Sequence, residues 1–166
     1  MVPSEIHEGE RYMARVDKIL FAMELSELSE EIAEWVNLMG EQFEAQVHVQ
    51  HVIPDLYSLG VPYAAQPNSL DDQGKLIENA EKDLYNFSGK WLKQEFSPRI
   101  HVSVGHPAEE IIKYVQSENI SMIIIGTHGK GGLDRSVFGS VADRVLRFSP
   151  VPVLCINPHP KELAAS

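Results

Sequence analysis

Cysteine is nearly absent from this 166-residue chain, Cys155 being the only one. A lone thiol closes no intramolecular disulfide and supplies no CxxC pair, which excludes a disulfide framework and a thiolate zinc site as the source of the fold. Cys155 lies in the apolar run "VPVLCIN" with no basic neighbour in sequence to lower its pKa, and reads as a small, inert, buried hydrophobe. Basic residues are scarce too. Fourteen Lys and Arg stand against 24 Asp and Glu, a formal net charge of -10, and no basic cluster exceeds a few residues. Long-range attraction to nucleic acid or anionic lipid is disfavoured by that balance. No apolar run approaches a membrane span, and the opening "MVPSEIHEGERYMAR" has no signal-peptide apolar core, so a cytoplasmic, reducing location is expected.

What is present suits one globular domain: 43% of residues are hydrophobic and 23% charged, enough to bury one sizeable core. The polar or Pro-containing stretches 1–14 and 158–166 are expected to be flexible, leaving 15–157 as the domain. Strand and helix patterns alternate along it. "KILFAM" (Lys18 to Met23) reads as a buried strand, and Leu28, Ile32, Trp35, Val36 and Met39 then recur at helical spacing up to Gly40, a C-cap candidate. "QVHVQHVI" (Gln46 to Ile53) is a second strand. A long amphipathic helix is expected over Leu70 to Phe96, with Leu76, Ile77, Ala80, Leu84, Phe87 and Trp91 on one stripe. Between them, Pro54 to Ser69 has the length of a lid or an insert. Arg99 to Val104 is a third strand, "HPAEEIIKYVQSEN" a third helix, Ser121 to Ile125 a fourth strand and Val151 to Ile156 a fifth. Such alternation, with strands apolar on both faces, predicts an α/β fold: an open, Rossmann-like five-stranded parallel sheet of order 3-2-1-4-5, helices on both faces. Ligands of such sheets sit where the strand order reverses, here beyond the ends of the first and fourth strands.

"IIIGTHGKGGLDRSVFGS" (Ile123 to Ser140) leaves the fourth strand at that crevice. It fails the Walker A spacing, since positions 124 and 131 are Ile and Gly, and it fails G-x-G-x-x-G because position 134 is Asp. The spacing it does keep is Gly126-x-x-Gly129-x9-Gly139-Ser140. "SVAD" at 140 to 143 looks like a capping-box helix start, which would place Gly139 just ahead of free amides of Ser140, Val141 and Ala142. Those amides and the helix dipole suit an anion, and glycines let it approach closely. Were Leu133 to Phe148 one continuous helix, Gly139 in its middle would cost about 1 kcal/mol relative to Ala. Lys130 and Arg135 read more simply as solvated surface residues.

"GTHGKGGLDRSVFGSVADRVLRFSPVPVLCI" resembles the C-terminal signature of the universal stress protein family, specifically the G-2x-G-9x-G-[ST] motif of its ATP-binding branch, and "KILFAMELSELSEE", "VQHVIPD" and "VGHPAEEIIKYVQSENISMIIIGTHG" extend the likeness across residues 15 to 157. The resemblance implies an adenine nucleotide alpha hydrolase-like fold and ATP or AMP as ligand, with magnesium possible alongside ATP. Gly126, Gly129, Gly139, Ser140 and Val141 would hold the phosphates, and Val52 would offer its backbone to the adenine. The family's Pro-x-Asp-x-Ser turn reads Ala22, Met23, Glu24, Leu25, Ser26 here, so Ala22 and Glu24 occupy the turn that contacts nucleotide or metal, with the carboxylate on a longer arm and the proline lost. Homodimerisation through the last strand is a further implication, and that strand is an edge in need of cover.

Other chemistries have less support. His48 and His51, three apart on a strand, point to opposite faces and make no metal pair. His128, inside the glycine loop, is either an anion donor or a variable loop residue. A G-x-S-x-G elbow is absent, and Ser26 reads as an N-cap, with Ser29 an alternative, rather than as a nucleophile. A binding and regulatory protein of the stress response, with at most slow ATP hydrolysis, is the leading expectation. A nucleotide-hydrolysing or adenylyl-transferring enzyme is the first alternative, although His-x-Gly-His and Ser-Gly-Gly-x-Asp-Ser are absent. A family member that binds no nucleotide and acts by protein contacts is the second.

Overall fold

The computed structural model describes residues 15–26, 28–55, 70–127 and 139–157. Its strands are β1 (Lys18–Ala22), β2 (Gln46–Pro54), β3 (Arg99–Gly105), β4 (Met122–Gly126) and β5 (Val153–Ile156), and its helices are α1 (Leu28–Phe43), α2 (Leu70–Trp91), α3 (Pro107–Glu118) and α4 (Ser140–Phe148). All strands are parallel, in the order β3-β2-β1-β4-β5. That is the order predicted from right-handed crossovers. The inner strands β1 and β4 are buried on both faces, hence their apolar runs, while the third inner strand, β2, buries His48 and Gln50 among its valines.

Side-chain alternation sorts the core into two layers. Ile19, Phe21, Val47, Val49 and Ile124 pack with Ile32, Val36 and Leu84 beneath α1 and α2. Leu20, Val52, Ile123 and Ile125 pack with Ile111, Val115 and Val145 beneath α3 and α4. Opposite parity within one strand thus feeds opposite layers. Lys18 Nζ donates to the Glu118 carbonyl at 2.7 Å, placing a cation at the negative end of α3. Arg144 Nη2 meets Glu109 Oε1 at 2.9 Å and ties α4 to α3.

Several boundaries differ from the expected ones. Gly40 does not end α1; it lies inside it, buried, because a Cβ there would stand 2.8 Å from Phe96 Cζ. Packing, not capping, requires that glycine. The helix stops four residues later, where Glu44 takes φ 50° and the Ala45 N–H returns to the Gly40 carbonyl at 3.0 Å. Trp35 and Leu76, placed on apolar stripes by spacing, are 44% and 45% exposed; Ala33 fills the inner face of α1 instead. α2 ends at Trp91 rather than Phe96, and a 3-10 turn over Gln94–Phe96 follows. Ser26 does not cap α1 by its side chain; its N–H instead faces Ser29 Oγ at 3.4 Å. "SVAD" is no capping box either, since Ser140 is already helical and the N-cap is Gly139, which has no side chain to offer.

Candidate functional site

At the carboxyl ends of β1 and β4, where the crossovers part to opposite faces of the sheet, lies a cavity of about 380 Å³. That volume falls within the usual range for small-molecule sites. β1 contributes Ala22 and the turn residues Met23, Glu24 and Ser26; β4 contributes Ile125 and Gly126. Gln50, His51, Val52 and Pro54 enter from β2, Pro107 and Ile111 from α3, and Val141 from α4. Among these described lining residues Glu24 is the only acidic one, and none is Lys or Arg. Leu25, just beyond it, holds φ 39°, a left-handed backbone for a branched side chain. The chain therefore turns tightly at the mouth.

The β2 wall has an unpaired edge. The Met23 N–H donates to the Gln50 carbonyl at 2.9 Å, and the β1–β2 register ends at Ala22 opposite Gln50. Alternate residues of a strand direct N–H and C=O to the same neighbour, so Val52 turns its own pair toward the line of β1 beyond the point where β1 has left. His51 Nδ1 bonds the Met23 carbonyl at 3.0 Å and fixes that departure. His48, by contrast, is fully buried on the other face, with Nδ1 2.9 Å from the Tyr114 hydroxyl. The two histidines do point apart, as their spacing requires.

The opposite wall joins two chain segments distant in sequence. The Gly139 N–H donates to the Thr127 carbonyl at 2.7 Å, which clamps the N-terminus of α4 onto the end of β4. The helical ladder begins with the Asp143 N–H on the Gly139 carbonyl at 3.0 Å, leaving the amides of Ser140, Val141 and Ala142 ahead of it. Gly139 has φ -60° and ψ 142°, a conformation open to any residue. Its backbone therefore does not call for glycine.

Of the residues singled out in the sequence, Ala22, Glu24, Val52, Gly126 and Val141 line this one cavity, while Gly139 and Ser140 form the helix start beside Val141. Gly129 and His128 lie outside the described residues, as do Lys130, Arg135 and residues 56–69 of the Pro54 to Ser69 stretch. Sequence reading missed Gln50, His51, Pro107 and Ile111. Gln50 did leave a signal: an amide within a strand that must be buried on both faces. Among the described residues no group of three or more His, Cys, Asp or Glu could hold a metal ion.

A doubly wound parallel sheet with a cavity at its topological switch point defines an α/β protein of the Rossmann-like class. The chain belongs to the universal stress protein family, whose profile matches residues 15–157. Universal stress protein MJ0577 of Methanocaldococcus jannaschii is 30% identical over 152 residues, covering 84% of this chain and 94% of its own. The solved structure of hypothetical protein MJ0577 superposes with a TM-score of 0.72 at 27% identity, covering 87% of this chain and 98% of that one. The fold is also that of the Archaeoglobus fulgidus universal stress protein solved in complex with dAMP, at TM-score 0.54 and 17% identity over 87% of this chain and 100% of that one. A universal stress protein solved in complex with cAMP is similar at TM-score 0.56 and 12% identity, over 87% of this chain and 99% of that one. No described helix is long and apolar enough to cross a membrane.

Proposed function

We propose that the chain is a regulatory binding protein of the stress response that holds an adenine nucleotide, ATP or AMP, between the ends of β1 and β4. The observation that carries this reading is the hydrogen bond from the Gly139 N–H to the Thr127 carbonyl, which brings the start of α4 to the end of β4, beside a cavity that Val141 and Val52 both line. In this reading the base lies on β2, with Val52 N–H and C=O taking its hydrogen-bonding edge. The phosphates lie against Gly126, Gly139, Ser140 and Val141, where backbone amides and the helix dipole supply positive potential that the described lining side chains lack. The family motif adds Gly129 and His128 to the residues proposed for the phosphates. Glu24 takes a magnesium ion that arrives with ATP. The nucleotides named with two relatives in this fold, dAMP and cAMP, support an adenine ligand. Any hydrolysis is slow, and β5, an edge strand in the sheet order, pairs with a second copy in a cytoplasmic homodimer.

Calorimetric titration of the full chain with ATP and AMP, with and without magnesium, tests this. Saturable binding with one site per chain is expected. Absence of binding by either nucleotide would sink the reading and favour a family member acting by protein contacts, an outcome consistent with Glu24 and Leu25 in the first turn.

A further inference from the structure

We infer that Gln50 selects the base in this cavity: its side-chain carbonyl is an acceptor for the exocyclic amino group of a 6-aminopurine, which a 6-oxopurine cannot satisfy. The inference rests on the nucleotide reading of the cavity given above. Gln50 is 1% exposed and lines the cavity, yet its Oε1 is buried without a hydrogen-bond partner. Orphaned buried acceptors of this kind are rare and costly, since the lost solvation is not repaid.

The amide cannot relieve the deficit by turning over. Its Nε2 is 3.4 Å from the Glu110 backbone carbonyl and 3.4 Å from Ser103 Oγ. A carbonyl only accepts, so the NH₂ end must face Glu110 and the oxygen must face the other way. α3 thereby fixes which end of Gln50 is presented.

Position supplies the second half. Gln50 and Val52 are two apart on β2, and both side chains face the α3 layer, so they lie about 7 Å apart along one wall. An amino group has two hydrogens. One is spoken for by the Val52 carbonyl edge, and Gln50 Oε1 accepts the other. A 6-oxo group at the same place would set oxygen against oxygen, leaving both unpaired in a site shielded from water.

The test is titration of the full chain with ATP, with ITP, which has oxygen in place of the amino group, and with N6-methyl-ATP. ATP is expected to bind at least tenfold more tightly than either analogue. In Gln50→Met, which keeps the volume and removes the acceptor, the ATP preference over ITP is expected to fall about tenfold. If ATP and N6-methyl-ATP bind the unaltered protein equally, the second amino hydrogen has no partner and the inference is overturned, whether or not the variant folds. If both ATP and ITP bind with a ratio that Gln50→Met leaves unchanged, the inference fails while the nucleotide reading stands. If no nucleotide binds at all, both fail together.

Discussion

Replacing Gly139 by aspartate should move stability and nucleotide affinity in opposite directions. Gly139 is the N-cap of α4, with φ -60° and ψ 142°, so an aspartate fits the existing backbone without strain. Its carboxylate would accept from the amides that precede the helical ladder, worth a few tenths of a kcal/mol over glycine, with about 0.3–1 kcal/mol more from the helix dipole. The sum of about 1 kcal/mol corresponds to about 2–4 °C in Tm for a chain of this length. The same carboxylate would occupy the anion position. At about 4 Å from a phosphate oxygen, with an effective dielectric near 20, repulsion approaches about 4 kcal/mol before screening. Screening brings this to about 2–4 kcal/mol, a thirty- to thousandfold loss of ATP affinity. Gly139→Ser separates the parts, since a hydroxyl caps without charge and should cost about tenfold. Thermal unfolding by circular dichroism and calorimetric titration read the two quantities. A variant with raised Tm and ATP affinity within threefold of the parent would refute the anion site at α4. A Tm several degrees lower would show that those amides already have partners.

Three further outcomes follow from particular residues. Leu84→Ala should cost about 2–5 kcal/mol in urea unfolding, because Leu84 is fully buried between α2 and the sheet; a loss below 1 kcal/mol would mean that α2 is not docked as described. Burial, helped by the nearby charges of Lys18 and Arg99 and opposed by Glu118, holds His48 below its ordinary pKa of 6.5, and burial lowers His101 too, against the pull of Glu118 and Glu110. Between the lowered values and 6.5 the unfolded chain binds more protons, so stability should be full above about pH 6.5 and fall on acidification through the lowered pKa values, and the urea midpoint should lose part of that slope in His48→Gln; an unchanged slope would clear His48 of the effect. Cys155→Pro should turn the proposed dimer into a monomer by sedimentation velocity, because the Pro152 and Ile156 carbonyls face β4 and the alternation turns the Cys155 N–H to the free edge; an unaltered dimer would place the interface elsewhere.

How much of this was legible in the sequence differs element by element. The strand order followed from alternation and chirality alone, because five apolar runs separated by helices have few unknotted, right-handed ways to lie in one sheet. Gly126 and Val141, which line one cavity, were singled out from the glycine spacing ahead of an amphipathic helix. Gly40 was misread because a glycine after a periodic stretch looks like a C-cap whatever ring presses on it, and Phe96, 56 positions away, supplies the true reason. Trp35 was misread because 3.6-residue spacing puts a side chain near an apolar stripe without saying where the stripe's edge falls; the sheet beneath α1 has room for Ala33 and not for an indole.

By itself, then, the sequence determined the α/β class, the strand order and a helix start at Ser140 directly after Gly139, since these rest on local periodicity and chirality. Only the tertiary structure decided that the Gly139 amide meets the Thr127 carbonyl, that Val52 outruns β1, and that Gln50, whose side-chain oxygen is buried without a partner, belongs to the wall of the same cavity. Each of those depends on where one strand ends relative to its neighbour. Register across a sheet is set by packing between segments far apart in the chain, and no window of consecutive residues contains it.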